Sequence, residues 1–313
     1  MPTNRGSFKI FTFAGIGVYV HWMWIVFAVL TFQWRTHAYS SPVWNALEYL
    51  SLFAIVLLHE FGHQLACRSV GGKTHDIIIW FLGGVAYVSP PQRPGAQLWS
   101  IAAGPLVNVL LVPLLAALVS IGWHSGLSET HHDLYKLFYN VFYLNIGLLI
   151  FNMMPVYPLD GGQILRSLLW FVIGRANSLL VASIIGFIGL AGLLVLIALT
   201  FFAGNTGDAG WLALIAFFIA SQSWNGLRQA WALARIAKLP RRQDFACPAC
   251  KTSPPAGEFW RCGQCGKAFD IFATRGQCPN CNAHYNLIQC LDCGTRNALG
   301  EWASAEHGTR SAK

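Results

Sequence analysis

The sequence predicts an all-α, multi-pass membrane protein with about six transmembrane helices, one β-rich segment between them and a small cysteine-rich domain near the C-terminal end. Three observations carry this. Only 11% of the residues are charged while 55% are hydrophobic, against about 25% charged in a soluble domain. Residues 10–34, 94–128, 137–159, 176–207 and 209–227 hold no Asp, Glu, Lys or Arg, and about 20 apolar residues suffice to cross a bilayer. Eight of the nine cysteines fall after residue 246, in four C-x-x-C pairs. The expected division is a transmembrane domain over 1–226, a basic linker over 227–245, the cysteine-rich domain over 246–298 and a disordered tail over 299–313.

In order along the chain, the expected spans lie near 14–33, 46–68, 98–121, 134–154, 178–203 and 209–226. The first apolar run is too long for a signal-peptide core and lacks a small-x-small exit, so it reads as a retained span. Arg5 and Lys9 precede span one, Arg68, Lys73 and Arg93 follow span two, and Arg166 and Arg175 follow span four. Arg228, Arg235, Lys238, Arg241 and Arg242 follow span six. Basic residues gather on the cytoplasmic side of short loops, so both termini are expected in the cytoplasm.

Span two contains His59-Glu60-Phe61-Gly62-His63, an H-E-x-x-H motif. On a helix, residues i and i+4 stack on one face, so the two imidazoles can share one metal ion with Glu60 placed to act on water. A charged side chain in a span costs roughly 2.5–3.5 kcal/mol, so three ionisable groups within five residues point to a use. The bland alternative is a polar set satisfied by neighbouring helices. Span four ends Asn152-Met153-Met154-Pro155-Val156-Tyr157-Pro158-Leu159-Asp160-Gly161-Gly162. Two histidines and a water leave tetrahedral zinc one ligand short, and Asp160 can supply it. Spans two and four both run toward the cytoplasm, which puts His63 and Asp160 at similar depth. Asp160 alone would serve equally well as an N-cap; beside H-E-x-x-H the ligand role is preferred.

These residues resemble the site-2 protease family of intramembrane zinc metalloproteases, over roughly residues 15–175. Phe81-Leu82-Gly83-Gly84-Val85-Ala86 looks like that family's membrane-associated β segment, and Gly104-Pro105-Leu106-Val107-Asn108 fits its third span. The resemblance implies that His59, His63 and Asp160 bind the catalytic zinc, that Glu60 is the general base, and that Asn152 donates to the oxyanion. The alternative for Asn152 is an interhelical hydrogen bond; the oxyanion role is preferred. A peptide bond inside a helix is shielded, so the substrate must unwind and pair with an edge strand. Gly83, Gly84 and Val85 are the candidate substrate clamp, with a packing hairpin as the alternative. The chain departs from some family members: no periplasmic PDZ insertion or CBS domain is evident. His21 reads as hydrogen-bonded to a neighbour, Asn108 and Asn145 as interhelical contacts, and Cys67 as a packing residue.

The pairs Cys247/Cys250, Cys262/Cys265, Cys278/Cys281 and Cys290/Cys293 each offer two thiolates. Four knuckles therefore make two structural zinc sites, resembling a double zinc ribbon. Disulfides are disfavoured in the cytoplasm. Gaps of 11 and 8 residues suggest sequential pairing, first knuckle with second and third with fourth, with a crossed pairing as the alternative. Residues 227–313 carry 12 basic and 6 acidic side chains. Two four-thiolate centres reduce that excess to about +2, and no basic stripe with interleaved aromatics appears. A cytoplasmic protein partner is preferred over nucleic acid, and the basic linker suits anionic headgroups. The leading expectation is an enzyme that cuts membrane-anchored proteins near the cytoplasmic face, within the lipid bilayer, using one catalytic and two structural zinc ions. The competing one is a catalytically silent scaffold that recruits partners through its ribbons.

Overall fold

The computed structural model describes residues 6–34, 38–80, 83–204 and 206–302. It opens with strands β1 (Ser7–Phe13) and β2 (Ile16–His21), followed by helices α1 (Trp22–Trp34) and α2 (Pro42–Ser69). Strands β3 (Lys73–Trp80) and β4 (Gly83–Ser89) come next. Then follow α3 (Pro94–His124), the single turn α4 (Leu127–Thr130), α5 (His132–Met153), α6 (Asp160–Phe202) and α7 (Thr206–Ala237).

The β-rich segment between the helices is part of a four-stranded sheet in the order β1-β2-β3-β4, whose second strand lies where the sequence suggested the start of a helix. Ala14 and Gly15 turn the first hairpin with positive φ at both residues, 50° and 74°, the geometry that matches strand twist. β2 then runs parallel to β3, pairing Val18 with Ile77 and Val20 with Ile79. Ile16, Val20, Ile77 and Ile79 point to one face, where they pack with Val56 and Phe61 of α2 and with Trp24. The sheet thus holds the side of α2.

Among the described residues four helices are long and apolar enough to cross a membrane: α2, α3, α5 and α6. The expected first span is β2 followed by α1, and 13 helical residues reach only about 20 Å of the ~30 Å hydrocarbon core. The expected sixth span lies within α7. That helix is not among the four found in the described residues.

Helix boundaries follow local chemistry. Ser41 caps α2 by accepting from the Val43 N–H, with Pro42 at the first turn, where its missing donor costs nothing. α6 changes direction at Gly174, whose φ of 78° and ψ of 172° are not helical. The outer faces of the helices are apolar and open, with Val172 at 83% and Phe202 at 85% exposure, as a lipid solvent requires.

Beyond α7, two short hairpins, β5 (Trp260–Arg261) with β6 (Ala268–Phe269) and β7 (Leu287–Gln289) with β8 (Arg296–Ala298), each flank one C-x-x-C knuckle. Trp260, Phe269, Ile271, Phe272, Ile288 and Trp302 form their common core. The expected tail at 299–313 begins too early. Leu299–Trp302 is a 3-10 helix whose Trp302 is fully buried, because its ring fills the space beside Phe272. Residues 303–313 lie outside the described residues.

Candidate metal centres

The last turns of α2 carry His59, Glu60 and His63, all buried. The two imidazoles stand edge to face with centroids 4.8 Å apart, and their Nε2 atoms are 3.1 Å apart. α6 begins at Asp160. Its cap, Leu159, makes no side-chain bond, and Asp160 turns its carboxylate toward the histidines instead. Asp160 Oδ2 lies 3.0 Å from His59 Nε2 and 3.4 Å from His63 Nε2. Bonds of 2.0–2.1 Å in a tetrahedron require donors about 3.3 Å apart. The triangle therefore fits a zinc ion, in both donor chemistry and spacing.

The far ring nitrogens fix the orientation. His59 Nδ1 donates to Asn108 Oδ1 at 2.6 Å, and His63 Nδ1 donates to the Ser100 carbonyl at 2.9 Å. Asn108 is itself positioned by donating to Asn145 Oδ1 at 2.8 Å, while Asn145 donates to the Asn108 carbonyl at 3.1 Å. With both Nδ1 atoms protonated, both Nε2 lone pairs are free to face Asp160. The sequence identifies Asn108 and Asn145 as interhelical contacts. That Asn108 orients His59, and that Ser100 holds His63, was not legible, since neither belongs to a ligand motif.

Close approach of helices makes this possible. A Cβ on Gly104 would lie 2.3 Å from His63 Nε2, and one on Gly62 would lie 2.6 Å from the Ala103 carbonyl. On α6, a Cβ on Gly161 would fall 2.3 Å from the Met153 carbonyl, so the chain re-enters the helix beside the end of α5.

The other predicted residues sit as follows. Asn152 is half-buried in the last turn of α5, and among the described residues no hydrogen bond joins it to the triangle. Gly83, Gly84 and Val85 begin β4, paired with Trp80, Ile79 and Ile78. β4 is the last strand of the sheet and packs against α2. Phe81 and Leu82 lie outside the described residues. His21 accepts from the Met23 N–H, and Cys67 is buried with its sulfur 3.6 Å from the Lys73 carbonyl.

The cysteine knuckles do not pair sequentially. The first joins the fourth (Cys247, Cys250, Cys290, Cys293) and the second joins the third (Cys262, Cys265, Cys278, Cys281). Each hairpin encloses one knuckle and does not join two, and the shared aromatic core folds the ends of the domain together. The Ala246 N–H bonds the Trp302 carbonyl. Sulfur separations are 3.7 and 3.8 Å in the first cluster, and 3.4 and 3.6 Å in the second. Tetrahedral zinc with ~2.3 Å bonds needs about 3.8 Å, so both clusters fit. Hydrogen bonds favour thiolate at some of these cysteines, while burial raises Cys250 and Cys290. The Tyr285 hydroxyl, followed by the backbone N–H groups of the knuckle, holds Cys262 down at about 6. Burial raises Cys247, but knuckle amides and the Thr295 hydroxyl outweigh it and bring it to about 7.

A model of peptidase family M50 matches residues 48–129 and 121–196. A zinc metalloprotease of Methanocaldococcus jannaschii is 31% identical over 180 residues, 58% of this chain and 50% of that protein. Stage IV sporulation protein FB of Bacillus subtilis is 29% identical over 136 residues, 43% of this chain and 44% of that one. The chain thus spans about half the length of these relatives. A solved site-2 protease from M. jannaschii aligns with 71% of this chain and 95% of its own, at 25% identity and a TM-score of 0.49.

Proposed function

We propose that the chain is a member of peptidase family M50, the site-2 proteases, and acts as an intramembrane zinc endopeptidase that cuts membrane-anchored proteins near the cytoplasmic face. The observation that carries this is the triangle closed by Asp160 against His59 and His63, with the carboxylate of Glu60 buried beside it. His59, His63 and Asp160 hold one catalytic zinc, and the two cysteine clusters hold one structural zinc each. Bound at the triangle, zinc lowers the pKa of water toward 7 and polarises a carbonyl.

Glu60 accepts the proton of the attacking water and returns it to the leaving amine. Asn108 and Ser100 keep the histidine rings from turning during this exchange. Asn152 donates to the oxyanion. β4, at the end of the sheet and against α2, takes an unwound substrate as an added strand through Gly83, Gly84 and Val85. Both termini face the cytoplasm. The membrane unit occupies 1–226, with α7 running on to Ala237. The ribbon, with Phe259 and Leu287 open on its surface, receives a cytoplasmic protein.

The test is Glu60→Gln beside His59→Ala, with a co-expressed reporter that has one membrane-spanning helix. Glu60→Gln is expected to keep wild-type zinc content and lose cleavage, whereas His59→Ala loses both. Undiminished cleavage by Glu60→Gln would remove the base from the mechanism. Cleavage by His59→Ala would remove the site.

A further inference from the structure

We propose that the ribbon braces α6. In this reading the knuckle Cys290–Cys293, gathered with Cys247 and Cys250 around zinc, grips the bend at Gly174 and so stiffens the helical segment that begins with Asp160. The proposal rests on the zinc reading of the cysteines and is independent of proteolysis.

A glycine with a non-helical φ is a soft point in a helix, and Gly174 lies 14 residues after Asp160, about 20 Å along the axis. The next residue, Arg175, touches both sides of the bend. Its guanidinium lies 5.8 Å from the centroid of the Trp170 ring, on the other side of the bend, and its Nη1 donates to the Asp292 carbonyl. Asp292 sits inside the fourth knuckle, between Cys290 and Cys293. Its carboxylate accepts two hydrogen bonds from Arg241, at 2.6 and 3.0 Å, the bidentate geometry that fixes direction as well as distance. Arg241 also donates to the Ile236 carbonyl at the end of α7 and to the Ser253 carbonyl in the ribbon. Asp292 therefore ties the α6 bend to Arg241, which in turn holds the α7 terminus and the segment after the first cysteine pair.

The knuckle holds its shape through bonds that zinc reinforces: Gly294 N–H to the Cys290 carbonyl, and Cys290 N–H to the Thr295 carbonyl. The second cluster is placed differently. Cys265 and Cys281 are exposed, and among the described residues none of its four cysteines bonds to α6 or α7. Arg242 pairs with Asp270 at 2.6 Å, which joins the linker to the ribbon without reaching the bend.

The experiment is hydrogen–deuterium exchange of the full chain in lipid nanodiscs, read over amides 168–180, with zinc per chain measured on the same samples. Arg175→Ala, with both ribbon zincs retained, is expected to speed exchange around Gly174 about tenfold, the loss of charge-assisted bonds. Arg175→Lys, which keeps a donor for Asp292, is expected to recover part of that protection. Cys290→Ser is expected to match Arg175→Ala, and Cys265→Ser to leave the bend protected. Unchanged exchange in zinc-replete Arg175→Ala overturns the brace. So does a wild-type ribbon that takes up no zinc while the bend stays protected. Loss of cleavage by Glu60→Gln, or its absence, bears only on the proteolytic reading.

Discussion

Gly104→Ala adds one carbon and separates the metal triangle from the fold around it. The new Cβ would stand 2.3 Å from His63 Nε2, 2.4 Å from His63 Cε1 and 2.8 Å from His59 Nε2. Non-bonded heavy atoms settle near 3.5 Å, so the His63 ring must retreat by about 1 Å. Metal–ligand distances tolerate roughly 0.2 Å. The helices cannot simply part to make room, because α2 and α3 are also in close approach at the adjoining residues, Gly62 and Ala103. The ring also cannot rotate freely, because its Nδ1 is tied to the Ser100 carbonyl. Inside a helix, alanine is favoured over glycine by about 1 kcal/mol, so α3 itself is not weakened. The expected result is a folded chain with zinc reduced from three ions to two and membrane-site affinity down by at least 100-fold, about 2.7 kcal/mol. The assay is zinc content at buffered free metal, alongside thermal unfolding. Three zincs at wild-type affinity would refute the geometry, and a chain that fails to fold would refute the separation of metal from scaffold.

Other outcomes follow from the same contacts. Asn108→Ala removes the acceptor of His59 Nδ1 and is expected to weaken the membrane zinc 10–100-fold; competition with a chromophoric chelator checks this, and unchanged affinity counts against the orienting role. Cys250→Ser should perturb the cadmium NMR signal of the cluster containing Cys290 and Cys293, leaving the Cys262 cluster intact; the reverse would restore sequential pairing. Trp302→Ala empties a fully buried ring site and is expected to cost the ribbon about 3–5 kcal/mol in denaturant unfolding of the full chain, and a cost under about 1 kcal/mol would contradict its place in the core.

The site was more legible than the scaffold. His59 and His63 declare themselves because a helix brings i and i+4 together whatever surrounds it. Asp160 was read as the oxygen ligand that two histidines and a water leave tetrahedral zinc lacking. Residues 16–34 misled because an apolar run reads alike as buried strand or as helix. Val18, Val20 and the isoleucines of β3 are β-branched, but only their parallel pairing decides between the two. Knuckle pairing was illegible for a similar reason. Spacers of 11, 12 and 8 residues between knuckles can each close a loop, and the choice falls to an aromatic core that includes Trp302, beyond the last cysteine. Gly104 carried a sequence signal, a glycine four residues before Asn108, whose meaning needed the position of the rings.

The nested cysteine pairing sets an order of events during synthesis. The inner cluster is complete once Cys281 has left the ribosome, whereas Cys247 and Cys250 wait for Cys290 and Cys293. The inner loop joins sulfurs 13 positions apart (Cys265 to Cys278) and the outer one 40 apart (Cys250 to Cys290), a closure difference of about 1 kcal/mol in favour of the inner loop. Both kinetics and chain entropy therefore favour filling the inner cluster first. Under zinc starvation the half-loaded chain would carry its single ribbon ion on the exposed side, leaving empty the knuckle that touches the membrane helices.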